Sequence, residues 1–226
     1  MALAVRDALL ALPPTLTALH FSDFSADLLA TALERFPYLT ALGALDLYDC
    51  SQADATAAAA MLRRPPRLSS IALGIHSFWG SEANDGYPSF ADDDSQQYPF
   101  VDKDWVEIPP LAGISGLTAL HIDGAAGLPP DWRQLRSLQC LRVTHNVTWA
   151  APSQEDWNWG SFDWGPEDEP LSALTALTKV EFSETALLPE LPLLAALPQL
   201  AELHAPNVVD TWQQELQQLR PGVRFV

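Results

Sequence analysis

The chain has 226 residues, with 12 Lys or Arg against 29 Asp or Glu and a formal net charge of −17. That balance excludes a basic nucleic-acid face and docking on anionic lipid through a polybasic patch. The 48% hydrophobic residues are enough for a packed core, and the two cysteines are too few for a disulfide scaffold.

From the N-terminus, Met1 to Leu16 is mildly apolar but carries Arg6 and Asp7. A secretory leader would place its positive charge first and then run unbroken, and no run of about 18 apolar residues offers a transmembrane helix. Leu16-Thr17-Ala18-Leu19-His20-Phe21 then introduces a six-residue frame, apolar at positions 1, 4 and 6. Position 5 lies between two inward positions of a short strand and faces outward. A helix is expected from Ser25 to Phe36, closed by Pro37, before the frame returns at Leu42, Leu45 and Leu47. A second helix is expected from Ser51 to Arg64, stopped by Pro65, before Leu68, Ile71 and Leu73. Each helix opens on a capping residue and closes before a proline.

A long interval follows, and the frame resumes at Leu117, Leu120 and Ile122. The Pro-rich return Leu128-Pro129-Pro130-Asp131 suits a 3₁₀ or irregular segment. Leu138, Leu141 and Val143 come next, then a second long interval, then Leu177, Val180 and Phe182, and Leu200, Leu203 and Ala205. A last helix is expected from Asp210 to Leu219, and a degenerate eighth unit at Val223 and Phe225. First positions are thus 26, 26, 49, 21, 39 and 23 residues apart. A further Leu or Ile stands three residues ahead of most frames, at Leu39, Ile114, Leu135, Leu174 and Leu197.

The chain resembles the leucine-rich repeat family at these positions. Leu138 through Asn146 fits LxxLxLxxN in full, and Leu42 through Cys50 fits the Cys-ending form. Four of the six steps fall in that family's range of about 20–29 residues. The resemblance implies one α/β domain over residues 1–226, a horseshoe solenoid with a parallel concave sheet and a helical or irregular convex side. The ninth position departs from the pattern at Phe24, His76, Ala125, Thr185 and Val208, so the solenoid is expected to be irregular. The simple Leu-Thr-Ala-Leu units are similar to those of green-algal members, which implies a cytoplasmic or axonemal setting.

The long steps imply insertion loops at about 76–110 and 147–170. Residues 81–107 hold eight acids and one Lys, and residues 151–170 six acids and no base. The two loops also hold Trp79, Trp105, Trp149, Trp157, Trp159 and Trp164, six of the eight tryptophans. Both leave after a strand, in units three and five, so their bases are expected about 10 Å apart on one edge. Acid mixed with tryptophan suits a lip for a basic protein partner. A self-packed cap with solvated acids is the alternative.

No P-loop, GxGxxG, HExxH, GxSxG or CxxC motif occurs. Asp92-Asp93-Asp94 lacks the Gly and Glu of a calcium loop and reads as a solvated run. Asn146-Val147-Thr148 is a glycosylation sequon that matters only in a secreted chain. Cys50 and Cys140 fall three strands apart, too far for a disulfide. Position 5 holds His20, Asp46, Ala72, His121, Arg142, Glu181 and His204, a mixed polar row on the concave face. His121, Asp123 and His145 would make a zinc set, but nothing else in the spacing supports one. No metal, cofactor or catalytic group is expected.

The sequence therefore points to a monomeric, non-catalytic protein-binding module. Its candidate contacts are the six loop tryptophans with His121, Arg142 and Glu181. The alternative is a piece of a larger regulatory protein, such as a ubiquitin-ligase substrate adaptor. The chain enters its first frame almost at once, with no helical cap expected before Leu16.

Overall fold

The computed structural model describes residues 2–21, 26–47, 52–74, 108–123, 128–144, 148–149, 159–160, 171–182, 194–206 and 210–226. Every apolar frame yields a strand. These are β1 (Ala18–His20), β2 (Ala41–Asp46), β3 (Ser70–Gly74), β4 (Ala119–Asp123) and β5 (Cys140–Thr144). A two-stranded ribbon, β6 (Thr148–Trp149) and β7 (Trp159–Gly160), intervenes before β8 (Lys179–Phe182), β9 (Glu202–His204) and β10 (Arg224–Phe225). The eight frame strands form one open parallel sheet in the order β1-β2-β3-β4-β5-β8-β9-β10. Each strand lies beside the next frame strand in sequence, an order compatible with a solenoid-like α/β fold.

Register explains the packing. Leu19, Leu42, Ile71, Leu120, Leu141, Val180 and Leu203 stand opposite one another across the sheet at position 4. All but the edge residue Leu19 are buried, as are Leu73, Ile122, Val143 and Phe182 at position 6. The first-position residues Leu39, Leu68, Leu117, Leu138, Leu177 and Leu200 join the same core cluster. The residue three before most of these closes a turn: Leu39 N–H donates to Phe36 O, Leu68 to Pro65, Leu117 to Ile114, Leu138 to Leu135 and Leu177 to Leu174.

One frame is displaced from its sequence reading. Leu42 pairs with Leu19 and Ile71, so it occupies position 4, and unit two begins at Leu39. A one-residue bulge between Leu42 and Leu45 then brings Leu45 opposite Leu73. Position 5 of that unit is consequently Gly43, opposite His20, and Asp46 stands opposite Gly74 instead. A Cβ on Gly43 would come within 2.7 Å of His20 Nδ1, which explains a glycine there.

Position 2 carries a second ladder. The Thr17 carbonyl accepts the N–H groups of Thr40 and Ala41, and the Thr40 carbonyl those of Ser69 and Ser70. The pattern continues from Ser69 to Thr118 and Ala119, from Thr118 to Gln139 and Cys140, and onward to Thr178 and Lys179. Side-chain hydroxyls reinforce it, with Thr40, Ser69, Thr118 and Thr178 each donating to the position-2 carbonyl of the unit before at 3.0–3.2 Å. Thr in the recurring Leu-Thr-Ala-Leu is therefore part of the sheet's hydrogen bonding.

Helices and 3₁₀ turns among the described residues connect the strands. α1 (Ala2–Ala11) precedes β1, and α2 (Ala26–Arg35) buries Leu28, Leu29 and Ala32. Asp27 in its first turn and Arg35 in its last complement the helix dipole. α3 (Gln52–Leu62) ends before Pro65, and α4 (Asp210–Leu219) buries Leu216. The 3₁₀ turns are Trp132–Gln134, in the Pro-rich return expected to be 3₁₀ or irregular, and Leu171–Ala173. α1 was not expected from the sequence. Its Ala/Leu-rich stretch favours helix by propensity, and Arg35 secures it by donating to Leu10 O and Leu12 O at 3.3 and 3.2 Å. Asp131 similarly accepts the N–H groups of Leu111 and Ala112 at 2.9 and 2.7 Å. Ile108 and Leu111 are already core at the far end of the first long interval. No helix among the described residues is long and apolar enough to cross a membrane.

Candidate functional site on the open face of the sheet

Positions 4 and 6 point into the core, so positions 3 and 5 share the opposite face. The position-5 row begins with His20 opposite Gly43, is broken by the bulge after Leu42, and runs in register through Ala72, His121, Arg142, Glu181 and His204. The position-3 row runs Ala18, Ala41, Ser70, Ala119, Cys140, Lys179, Glu202 and Arg224. The face is thus two unlike halves. Over β1–β4 it is mostly small residues, with His20 and His121; over β5–β10 it alternates in charge.

The charged half is cross-linked. Glu181 pairs with Lys179 on its own strand and with Arg142 Nε on β5 at 3.8 Å. Glu202 pairs with Arg224 on the edge strand. The hydrogen bond and charge of Lys179 hold the Glu181 carboxyl below the usual carboxylate range, outweighing partial burial. Glu181 in turn raises the Lys179 ammonium above its ordinary value. Glu181 contributes its stabilisation above the ordinary carboxylate pKa and loses it as pH falls through its lowered value, whereas Lys179 loses its contribution only as pH rises through its raised one. The pair is therefore intact throughout the neutral range. An NMR titration should place the Glu181 carboxyl midpoint below that of a free Glu, and Lys179→Met should move it upward. An unmoved midpoint would break the assignment.

Next to this half lies a buried polar chain. Thr144 is 6% exposed and stands in register with Asp123. Its hydroxyl donates to Asp123 Oδ1 at 2.7 Å and meets His121 Nε2 at 2.9 Å. A hydroxyl has one proton. With that proton on Asp123, Thr144 accepts from His121, so Nε2 carries a hydrogen. This is the reverse of an activated nucleophile, in which the base takes the hydroxyl proton. The arrangement fixes the His121 ring on the face. At the sheet edge His204 Nδ1 donates to the main-chain oxygen of Val226 at 2.6 Å.

Cys140 is a free thiol at position 3. Burial, then the charge of Glu181, pushes it above its ordinary value, so it is a thiol at neutral pH. With Gln139, Thr178, Lys179, Ala201 and Glu202 it lines an open depression of about 320 Å³. No group of three or more His, Cys, Asp or Glu among the described residues could hold a metal ion.

Of the sequence candidates, His121, Arg142 and Glu181 lie side by side in the position-5 row. Trp149 and Trp159 are brought directly opposite each other in the antiparallel β6–β7 ribbon, just beyond β5. Trp79, Trp105, Trp157, Trp164, His145 and Cys50 lie outside the described residues. Both long intervals leave from the same ends of their strands, after β3 and β5, with β4 between. Lys179, Glu202, Arg224 and Thr144 were not singled out in the sequence. The first three would follow from pairing position 3 with position 5 at a spacing of two residues. Thr144 carries no such signal, because its partners lie across the sheet. No protein-family model matches the chain, and no curated protein is significantly similar to it.

Proposed function

We propose that the chain is an irregular leucine-rich repeat solenoid and a non-catalytic protein-binding module that acts as a monomer in the cytoplasm. The observation that carries this reading is the division of one parallel sheet into two faces. One is closed by frame residues such as Leu120, Leu141 and Val180. The other presents an ordered polar row of His121, Arg142, Glu181 and His204 in register. A rigid sheet with fixed side-chain spacing suits recognition of another protein. The warrant from fold to function is one of analogy.

The acidic, tryptophan-rich segments follow β3 and β5 in the chain. Trp149 opposite Trp159 supplies two large aromatic residues at one ribbon position. Residues 151–170 contain six acids and no base, which favours a basic partner. Affinity capture with the intact chain tests the proposal against two separate variants, deletion of residues 84–104 and Trp157→Ala with Trp159→Ala. Recovery by the parent should weaken as salt rises and should fall in both variants, while the melting temperature of each stays within a few degrees of the parent. If recovery survives both and is lost instead in His121→Ala, Arg142→Ala or Glu181→Ala, the sheet face alone is the contact and the loops are caps. Capture unchanged by all five would defeat the proposal.

A further inference from the structure

We infer that the groove between α2 and α3 docks an acidic protein segment that carries an apolar anchor. The proline turns of this surface lead into the starts of β2 and β3, whereas the acidic intervals follow the ends of β3 and β5, so the inference stands apart from the function proposed above.

The groove is built by the punctuation of units two and three. α2 and α3 pack together, and each is followed by the proline-containing turn that leads into its strand. Leu33, Pro37, Met61, Pro65 and Pro66 give an apolar floor, and the opening measures about 310 Å³. Leu33 and Met61 are only partly covered although both pack against the core. Beside the groove Tyr38 is 48% exposed. A partner side chain of moderate size can therefore bury apolar area there without unfolding anything.

The rim supplies the specificity. Arg63, Arg64 and Arg67 fall within five residues, in a chain whose net charge is −17. No ion pair engages any of the three among the described residues. Arg63 is occupied structurally, donating to Pro110 O at 3.2 Å. Arg67 is stacked over Tyr38, with Cζ at 5.2 Å from the ring centroid. That stacking holds the guanidinium in a defined place while leaving its edge donors available. Arg64 stands at the groove itself, and the acid lining it is Glu34. Two available guanidiniums against one carboxylate leave a local positive excess. Guanidinium groups take carboxylates by paired N–H donors. An Asp- or Glu-containing segment with an aromatic or aliphatic residue between its acids satisfies both parts of the surface.

The probe is a fluorescein-labelled peptide with the sequence of residues 84–104, which contains six Asp, one Lys, two Tyr and two Phe. Anisotropy titration with the full chain at low salt should show saturable binding. Arg64→Glu with Arg67→Glu should weaken it at least about tenfold. A peptide with its six Asp changed to Asn should lose a similar factor, and so should one with its Tyr and Phe changed to Ser. Arg136→Glu, on a different turn, should leave the affinity unchanged. The full chain contains the same segment, so it is also titrated with Asp92, Asp93 and Asp94 changed to Asn. Tighter binding by that variant, still lost with Arg64→Glu, shows the chain's own acids competing for the groove and supports the assignment. Absence of saturable binding to both chains overturns it. So does binding that survives Arg64→Glu with Arg67→Glu in a variant whose melting matches the parent.

Discussion

Leu141→Asp should destabilise the protein by at least about 4 kcal/mol, a large part of the stability of such a domain. Leu141 is 1% exposed, between Leu120 and Val180 at the inward position of β5. Truncation to Ala would already cost about 2–5 kcal/mol through lost transfer and a residual cavity. The Asp variant adds a carboxylate among apolar neighbours with no cation facing it, which costs several kcal/mol more. A domain of this kind has about 5–15 kcal/mol in all. The effect should depend on pH with a defined sign. Burial raises the introduced carboxyl's pKa, so the folded state binds the extra proton, and the destabilisation deepens as pH rises through the acid range. The neighbouring residue is the control. Arg142 is exposed, with a pair to Glu181 at 3.8 Å, so Arg142→Ala should cost less than about 1 kcal/mol. Urea titrations of the three variants check both values. Similar costs at 141 and 142 would mean that the two faces of β5 are misassigned.

The same alternation made most of the sheet legible. The strands from β1 to β5, with β8 and β9, are each named by an apolar triplet that needs no partner to be recognised. The middle of unit two was not, because Leu39, Leu42, Leu45 and Leu47 offer two overlapping frames. Apolarity alone cannot separate them. Position 2 can, since Leu39-Thr40-Ala41-Leu42 repeats Leu16-Thr17-Ala18-Leu19 and supplies the hydroxyl that reaches Thr17 O at 3.0 Å. α1 was missed because an almost continuous Ala/Leu run shows no period, and only propensity argues for helix. Residues 74–110 and 142–170 contain no leucine, so no frame sets their register. The meeting of Trp149 with Trp159 had no sequence signal of its own. On the open face the position-5 residues could be read, but their interactions could not. Arg142 and Glu181 are 39 residues apart, and Thr144 is 21 from Asp123. Such pairs exist only once the lengths of the returns have fixed which strands are neighbours.

Those returns need their own fastening, and Arg220 provides the last one. Its guanidinium donates to four backbone carbonyls of the preceding unit: Ala195 O at 3.3 Å, Leu197 O, Pro198 O at 3.1 Å and Leu200 O at 3.5 Å. Its own carbonyl accepts the Val223 N–H at 3.2 Å, which starts β10. Hydrogen bonds to a charged group contribute about 1.5–3 kcal/mol where the acceptors are withdrawn from water. Three of these four bonds are part-buried and one is exposed, so Arg220→Met should cost about 2 kcal/mol. Met retains most of the stem's packing and removes the donors. Arg220→Lys should recover only part of the loss, because an ammonium is a point donor and cannot span a row of carbonyls. The damage should also be local. Amide exchange should quicken at Arg224, which donates to Ala201 O at 2.8 Å, and at Val226, which donates to Leu203 O at 3.1 Å. The β4 and β5 amides should keep their protection, since an edge unit can open without the centre of a stacked sheet. Uniform quickening would make Arg220 a determinant of global stability. Exchange at Arg224 and Val226 unchanged in the Met variant would mean that the four carbonyls are held equally well by water.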